Sequence, residues 1–312
     1  MKRTSFILVL FAVGITAMAQ SVRFAFEAGT ADYASFSKMS VESTISQLLT
    51  EINRADRMNT SLNLSGINME AAAKEKFMKF WSNMHLTCED NENVQKCLQD
   101  AQGYQVRNIP VTLHPLDNSY RGSVEKTIVI SLNKRGQISG VRTALDRQNY
   151  KSIMETGKVV TDERQRREIL KFVEDLRFCY YIKDIKSLRK ILIDDFGITS
   201  YKIAYKQHIK EEHLNRLQQF FNSKNFVDVD FDKILVKQCG AAGKERFYGI
   251  TLKQKWYTDR YSDESYLFFL LELMDNGNPP VILFRVWQPA KYPDGTPLKD
   301  DDIVDIHDFI LP

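Results

Sequence analysis

Histidine, cysteine, glycine and proline are all scarce in this chain, and neither sign of charge dominates it. With 5 His and 4 Cys in 312 residues and no CxxC pair, a Cys/His zinc framework or a thiol redox motif is excluded. With 14 Gly and 8 Pro, low-complexity and collagen-like chains are excluded as well. Lys and Arg number 43 against 40 Asp and Glu. The longest mixed run, "DERQRREILK", reads as a solvated helix start, so no partner among DNA, RNA or anionic membrane surfaces is implied. GxSxG, GxGxxG, the P-loop and HExxH are all missing. No cofactor or metal is therefore expected. Acids crowd "LKDDDIVDIHDFILP", but the spacing and glycine of a calcium loop are missing, and that segment reads as a turn and a short alternating strand over Val304–Phe309. Outside the first twenty positions no apolar run approaches the ~20 residues of a membrane span.

What is present begins with a leader. "MKRTSFILVLFAVGITAMAQ" has Lys2 and Arg3, an apolar stretch from Phe6 to Ile15, and Ala17-Met18-Ala19 as a small-x-small cleavage site. That is the pattern of a secretory signal peptide over 1–19. The expectation is an exported, soluble mature chain from Gln20, periplasmic or extracellular, with no membrane insertion after cleavage. Export permits disulfides, in three connectivities for four cysteines. Cys88 and Cys97 bracket the polar "EDNENVQK" and are the candidate local bridge. Cys179 lies in an apolar helical pattern and reads as a buried free thiol.

Two α+β units follow from the periodicities. In "VESTISQLLTEI", Val41, Ile45, Leu48, Leu49 and Ile52 recur at helical spacing, and "MEAAAKEKFMKFW" predicts a second helix. Strand-like runs come next, with a turn from Asn133 to Gly136 between two of them. Helices before sheet indicate α+β, over 20–155. A polar stretch, "DRQNYKSIMETGKVVTDE", separates this unit from a second one over 156–312. There "REILKFVEDLRFCYYI" buries one broad face, Asp184 caps "IKSLRKILI", and "EEHLNRLQQFF" leads into four strands near Phe231–Val236, Phe247–Tyr257, Ser265–Met274 and Val281–Trp287.

Helices followed by an antiparallel meander, carried by "YIKDIKSLRKILIDD", "FYGITLKQKW", "SYLFFLLELMD" and "VILFRVWQP", resemble the NTF2-like fold of SnoaL-like proteins and ketosteroid isomerase. The resemblance covers roughly Asp162 to Pro289. "NKRGQI" is similar to the glycine-turn hairpin of the same superfamily, which would make the first unit a diverged or truncated second copy. More narrowly, the pattern resembles exported bacterial proteins with no assigned activity. The resemblance implies a curved sheet wrapped on helices, with a conical cavity as the ligand site.

Strand alternation then nominates residues. Gln254 and Trp256 share a face with Ile250 and Leu252. Glu272 and Arg285 fall on neighbouring strands and suggest a cross-strand ion pair away from the apolar face. Tyr180 sits on the helical side. These five, Tyr180, Gln254, Trp256, Glu272 and Arg285, are the candidate ligand-binding residues. The acid and base of the isomerase have no matching positions, and no catalytic residue is assigned. The expectation is a non-catalytic protein binding a small ligand or a protein partner. The alternatives are a SnoaL-like enzyme doing acid/base chemistry in the cone, or a homodimer joined through convex aromatics (Tyr257, Tyr266, Phe268, Trp287).

Overall fold

A computed structural model describes residues 21–27, 37–94, 97–116, 122–155, 162–200, 203–206, 209–240, 243, 245–274 and 278–309. The expected signal peptide lies outside the described residues. No helix among them is long and apolar enough to cross a membrane.

The first half starts with a strand held by a helix. β1 (Arg23–Phe26) runs beside α1 (Lys38–Arg57). The amides of Val22, Phe24 and Phe26 donate to Thr50 Oγ1, Ser46 Oγ and Glu42 Oε1 at 2.8, 3.0 and 2.8 Å. Two strand residues rise ~6.7 Å and four helix residues ~6.0 Å. An oxygen at every fourth helix position therefore meets every second strand amide. On its inner face α1 buries Val41, Ile45, Leu48, Leu49 and Ile52, the stripe that the spacing predicts. β1 also pairs in parallel with β3 (Asn91–Val94), so the insert between Cys88 and Cys97 is partly strand rather than a loop.

After α2 (Ala71–Trp81) comes an antiparallel sheet of β2 (Met84–Thr87), β5 (Gly103–Pro115), β6 (Val124–Asn133) and β7 (Ile138–Thr143), in that order, with β4 (Cys97–Gln99) also on β5. Gly136 takes φ 77° in the turn between β6 and β7, a conformation that glycine adopts without strain. One sheet face, with Val106, Val111, Ile128 and Ile130, joins α1 and α2 in the first core. The opposite face carries Gln105, Arg107, Ser131 and Arg142, all buried.

The second half comprises α3 (Arg147–Met154), α4 (Glu163–Tyr181), α5 (Ile185–Ile191), β8 (Leu192–Ser200), β9 (Ile203–Lys206), α6 (Lys210–Asn222), β10 (Val227–Gln238), β11 (Phe247–Thr258), β12 (Ser262–Glu272) and β13 (Val281–Pro289). The sheet order is β10-β11-β12-β13-β8-β9, with β8 parallel to β13 and the other pairs antiparallel. Asp184 caps α5, accepting from the Ser187 amide at 3.1 Å. Tyr248, Ile250, Leu252, Leu267, Phe269 and Leu271 pack with α4 and α6 in a second core. α4 is buried on nearly every side: Phe178 belongs to the first core, while Leu170, Val173 and Tyr180 belong to the second. The single helix joins the two units.

Several expectations need correction. The polar stretch between the units contains α3, whose Ile153 packs in the second core. Past Ile191 the chain leaves the helix for β8, where Ile193, Ile198 and Thr199 favour an extended backbone. Val304–Phe309 is not a strand; it makes a 3-10 turn at Ile306–Asp308 under an Asp305 capping box. Val304, Ile306 and Phe309 lie on the convex face of the second sheet, against Phe268, Leu270 and Val286. The convex aromatics therefore form no open patch: Phe268 and Tyr266 are buried, and Trp287, opposite Leu267, belongs to the concave side.

Candidate functional site

The cone is built from the concave sheet face and helices α4, α5 and α6, and it is nearly full. Tyr180 and Trp256 are buried, with ring centroids 5.2 Å apart. Gln254 donates from Nε2 to Ser265 Oγ at 2.8 Å, and its Oε1 is buried without a partner. A space of about 10 Å³ there is bordered by Tyr180, Phe196, His213, Phe269 and Arg285 among others. That is room for roughly one water.

Two sequence expectations about this region fail on register. Arg285 stands opposite Phe269, inside the apolar face, while Glu272 stands opposite Val281. Glu272 pairs instead with Arg246 at 2.8 Å, at the end of the sheet. The irregularity between Leu270 and Leu271 shifts the pairing that strict alternation assumes. Arg285 is left with its Nε buried and without a partner. Burial, with Arg285 next in effect, drives the His213 pKa down to about 3. The Tyr180 hydroxyl is pushed upward by burial. Both are neutral near pH 7, and among the described residues no carboxylate borders this space.

The expected Cys88–Cys97 bridge is also absent, and all four cysteines are free thiols. Cys88 is fixed by Asn53, whose side chain accepts from its amide and donates to its carbonyl, both at 2.9 Å. Cys97 sits on β4 opposite Val106. Burial pushes Cys88, Cys97 and Cys179 up to about 12.

The densest electrostatics lie where the two units meet. Glu174 of α4, fully buried, accepts from Arg107 Nη1 at 3.0 Å and Nη2 at 2.5 Å, from Arg142 Nε at 3.1 Å, and from the Leu145 amide at 3.0 Å. Gln105 Oε1 accepts from both arginines, at 3.0 and 3.2 Å. Burial alone would raise the Glu174 pKa; the two guanidinium groups and these donors hold it below its ordinary value. Burying an ion group of this kind is compensated only when each member is bonded. One atom here is not: Arg107 Nε is buried without a partner.

Beside this cluster a cleft of about 1030 Å³ opens between the units. β5 and β6 of the first unit line one side, and α3, Arg177 of α4 and Asp230 of β10 line the other. Its floor is Arg107, whose guanidinium lies 5.3 Å from the Tyr150 ring centre. Asn108, in the left-handed region at φ 63°, marks the β5 bulge that turns the strand here. Arg177 reaches the Thr143 and Ala144 carbonyls at 2.9 and 2.8 Å and Asp230 at 3.5 Å. Lys126, Glu125 and Arg147 have no oppositely charged partner among the described residues. None of these residues was nominated from the sequence. The available signal was the pair of charges, Arg107 and Arg142, placed inside otherwise apolar strands.

No protein-family model matches the sequence, and no curated protein is significantly similar to it. Solved structures resemble it in part. An NTF2-like protein from Cytophaga hutchinsonii is 13% identical, with 40% of this chain and 98% of that one covered and a TM-score of 0.33. An M. tuberculosis LEH-like epoxide hydrolase is 11% identical, with 39% and 82% covered and a TM-score of 0.29. A Bdellovibrio bacteriovorus protein is 12% identical with a TM-score of 0.33; 44% of this chain is covered but only 42% of that protein. The name NTF2-like recurs among these neighbours. The likeness concerns fold alone.

Proposed function

We propose that this is an exported binding protein that takes a small zwitterionic molecule in the cleft between its units. The observation that carries the reading is the cleft itself. Its volume of about 1030 Å³ is of ligand-site size, whereas the cone holds room for about one water. Unpaired cations, Lys126 and Arg147, suit a carboxylate, and Glu125 suits an amine. The buried Arg107–Glu174–Arg142 group behind them supplies a rigid, already desolvated wall, which lowers the ordering cost of binding. Acid/base catalysis in the cone is less well supported, because no carboxylate borders its space among the described residues. Export rests on the leader pattern of residues 1–19.

The test is a thermal-shift and calorimetry screen of the chain from Gln20 onward against amino acids and dipeptides. Binding should weaken at least tenfold, about 1.4 kcal/mol, in Arg147→Glu and Lys126→Glu, with both variants folded. No hit in the panel, or hits indifferent to both substitutions, overturns the reading. A second site is favoured by one specific observation, the unpartnered Arg285 Nε beside neutral His213 and Tyr180. There a single small anion would complete the guanidinium, and Arg285→Met would abolish its binding.

A further inference from the structure

We propose that the ligand of the cleft is an amino acid with a short aliphatic side chain, which enters an apolar recess beside the cleft. This rests on the zwitterion reading of the cleft and adds its selectivity. The recess has a volume of about 80 Å³. The three residues that it shares with the cleft, Lys126, Arg177 and Asp230, are all charged. The two spaces therefore meet at a polar mouth.

Beyond that mouth the lining turns apolar. Met84 of β2 pairs with Pro115 of β5, and Leu113 of β5 pairs with Val124 of β6. These four residues form the wall on the side of the first unit. Phe178 and Tyr181 of α4, three residues apart on one helix face, form the other wall with Val229 of β10. Phe80 backs both rings, with centroids at 5.4 and 5.5 Å. Thr143 and Asp228 also border the recess, and both are engaged within the chain.

Charge at the mouth orients the ligand. Arg177 is committed to the Thr143 and Ala144 carbonyls and to Asp230. Lys126 has no oppositely charged partner among the described residues, and it shares a face of β6 with Val124, two positions away. A carboxylate held by Lys126 directs the side chain of the same molecule into the recess. Size then sets the selectivity. A dry apolar cavity of about 150 Å³ takes a benzene ring, which is roughly 25 Å³ for each carbon. On that scale a recess of about 80 Å³ admits about three carbons, the side chain of valine. A phenyl ring is too large, and alanine leaves most of the recess unfilled.

The experiment is isothermal titration of the chain from Gln20 onward with alanine, valine, leucine and phenylalanine. Valine should bind at least tenfold more tightly than alanine, because it buries two more carbons, and should also surpass phenylalanine tenfold. Val124→Phe fills the recess and should erase the advantage of valine over alanine. Val124→Ala frees about 50 Å³ and should move the preference from valine to leucine. Val124 is half-buried, so both variants should fold, and their Tm checks that. In methyl NMR, valine should shift Met84 and Leu113, which border the recess and not the cleft, and alanine should leave them in place. Binding without an order of size, or with an order indifferent to Val124, overturns the recess and leaves the cleft reading standing. If none of the four binds, the recess is overturned too, and the cleft reading falls with it only when the dipeptides fail as well.

Discussion

Replacing Glu174 by Gln tests the electrostatic logic of the joint between the units. The side chain keeps its shape and can still accept from the Leu145 amide, but Arg107 loses its counter-charge and Arg142 keeps only Asp175, at 3.4 Å. Their side chains are 1% and 2% exposed, so water cannot replace it. Breaking a buried pair by removing one partner costs about 3–5 kcal/mol. Against a total stability of roughly 5–15 kcal/mol, the variant should unfold at markedly lower urea. The sign of the pH dependence follows from the lowered Glu174 pKa. Stability from this carboxylate is complete above its unfolded value, near the ordinary 4.5, and is lost as pH falls through the folded one. The wild-type chain should therefore lose stability steeply in acid below about pH 4.5, and Glu174→Gln should flatten that slope. The assay is urea denaturation followed by tryptophan fluorescence from pH 3 to 7. A loss under 1 kcal/mol at pH 7, or an unchanged acid slope, refutes the reasoning. A triple change to Glu174→Leu, Arg107→Met and Arg142→Leu should recover much of the loss, as apolar replacement of complete buried ion groups does.

Three further outcomes are expected. Cys88, Cys97 and Cys179, raised to about 12, should resist iodoacetamide at pH 8 in the native chain, and a reductant should leave Tm unchanged; rapid native alkylation of these three by mass spectrometry would contradict the packing. Gly249→Ala should displace the C-terminal segment, because its Cβ would stand 2.7 Å from Ile306 Cβ and 2.8 Å from the Phe268 ring; a cost of about 1–3 kcal/mol and faster proteolysis near Lys299 should accompany it. His213, with its folded pKa depressed to about 3, stabilises fully above its unfolded value of about 6.5 and loses that contribution as pH falls toward 3; Arg285→Met should bring its NMR titration back toward the ordinary value.

How much of this was legible in the sequence depended on whether a signal was local. Helices α1, α2, α4 and α6 and the meander strands β10 to β13 carry their periodicity in their own residues, and Asp184 announced its cap. β8 did not, because "ILIDDFGITS" becomes a strand only by pairing with β13, far along the chain. Site positions fared differently. Gln254 and Trp256 share one sheet face, as plain alternation pairs them, and the structure turns that face toward Tyr180 of α4. Arg285 was misplaced by one bulge, at Leu283 of β13, which turns the side chains beyond it to the other face and away from Glu272. Arg107, Arg142 and Glu174 find one another across 67 and 32 positions, a meeting that no local pattern encodes.

By folding Val304, Ile306 and Phe309 over Phe268, Leu270 and Val286, the chain supplies in cis what a second copy would otherwise supply in trans. A tethered competitor acts at an effective concentration on the millimolar scale. Any molecule approaching that sheet face must first displace it, so self-association there is governed by how often the tail lifts rather than by how much protein is present.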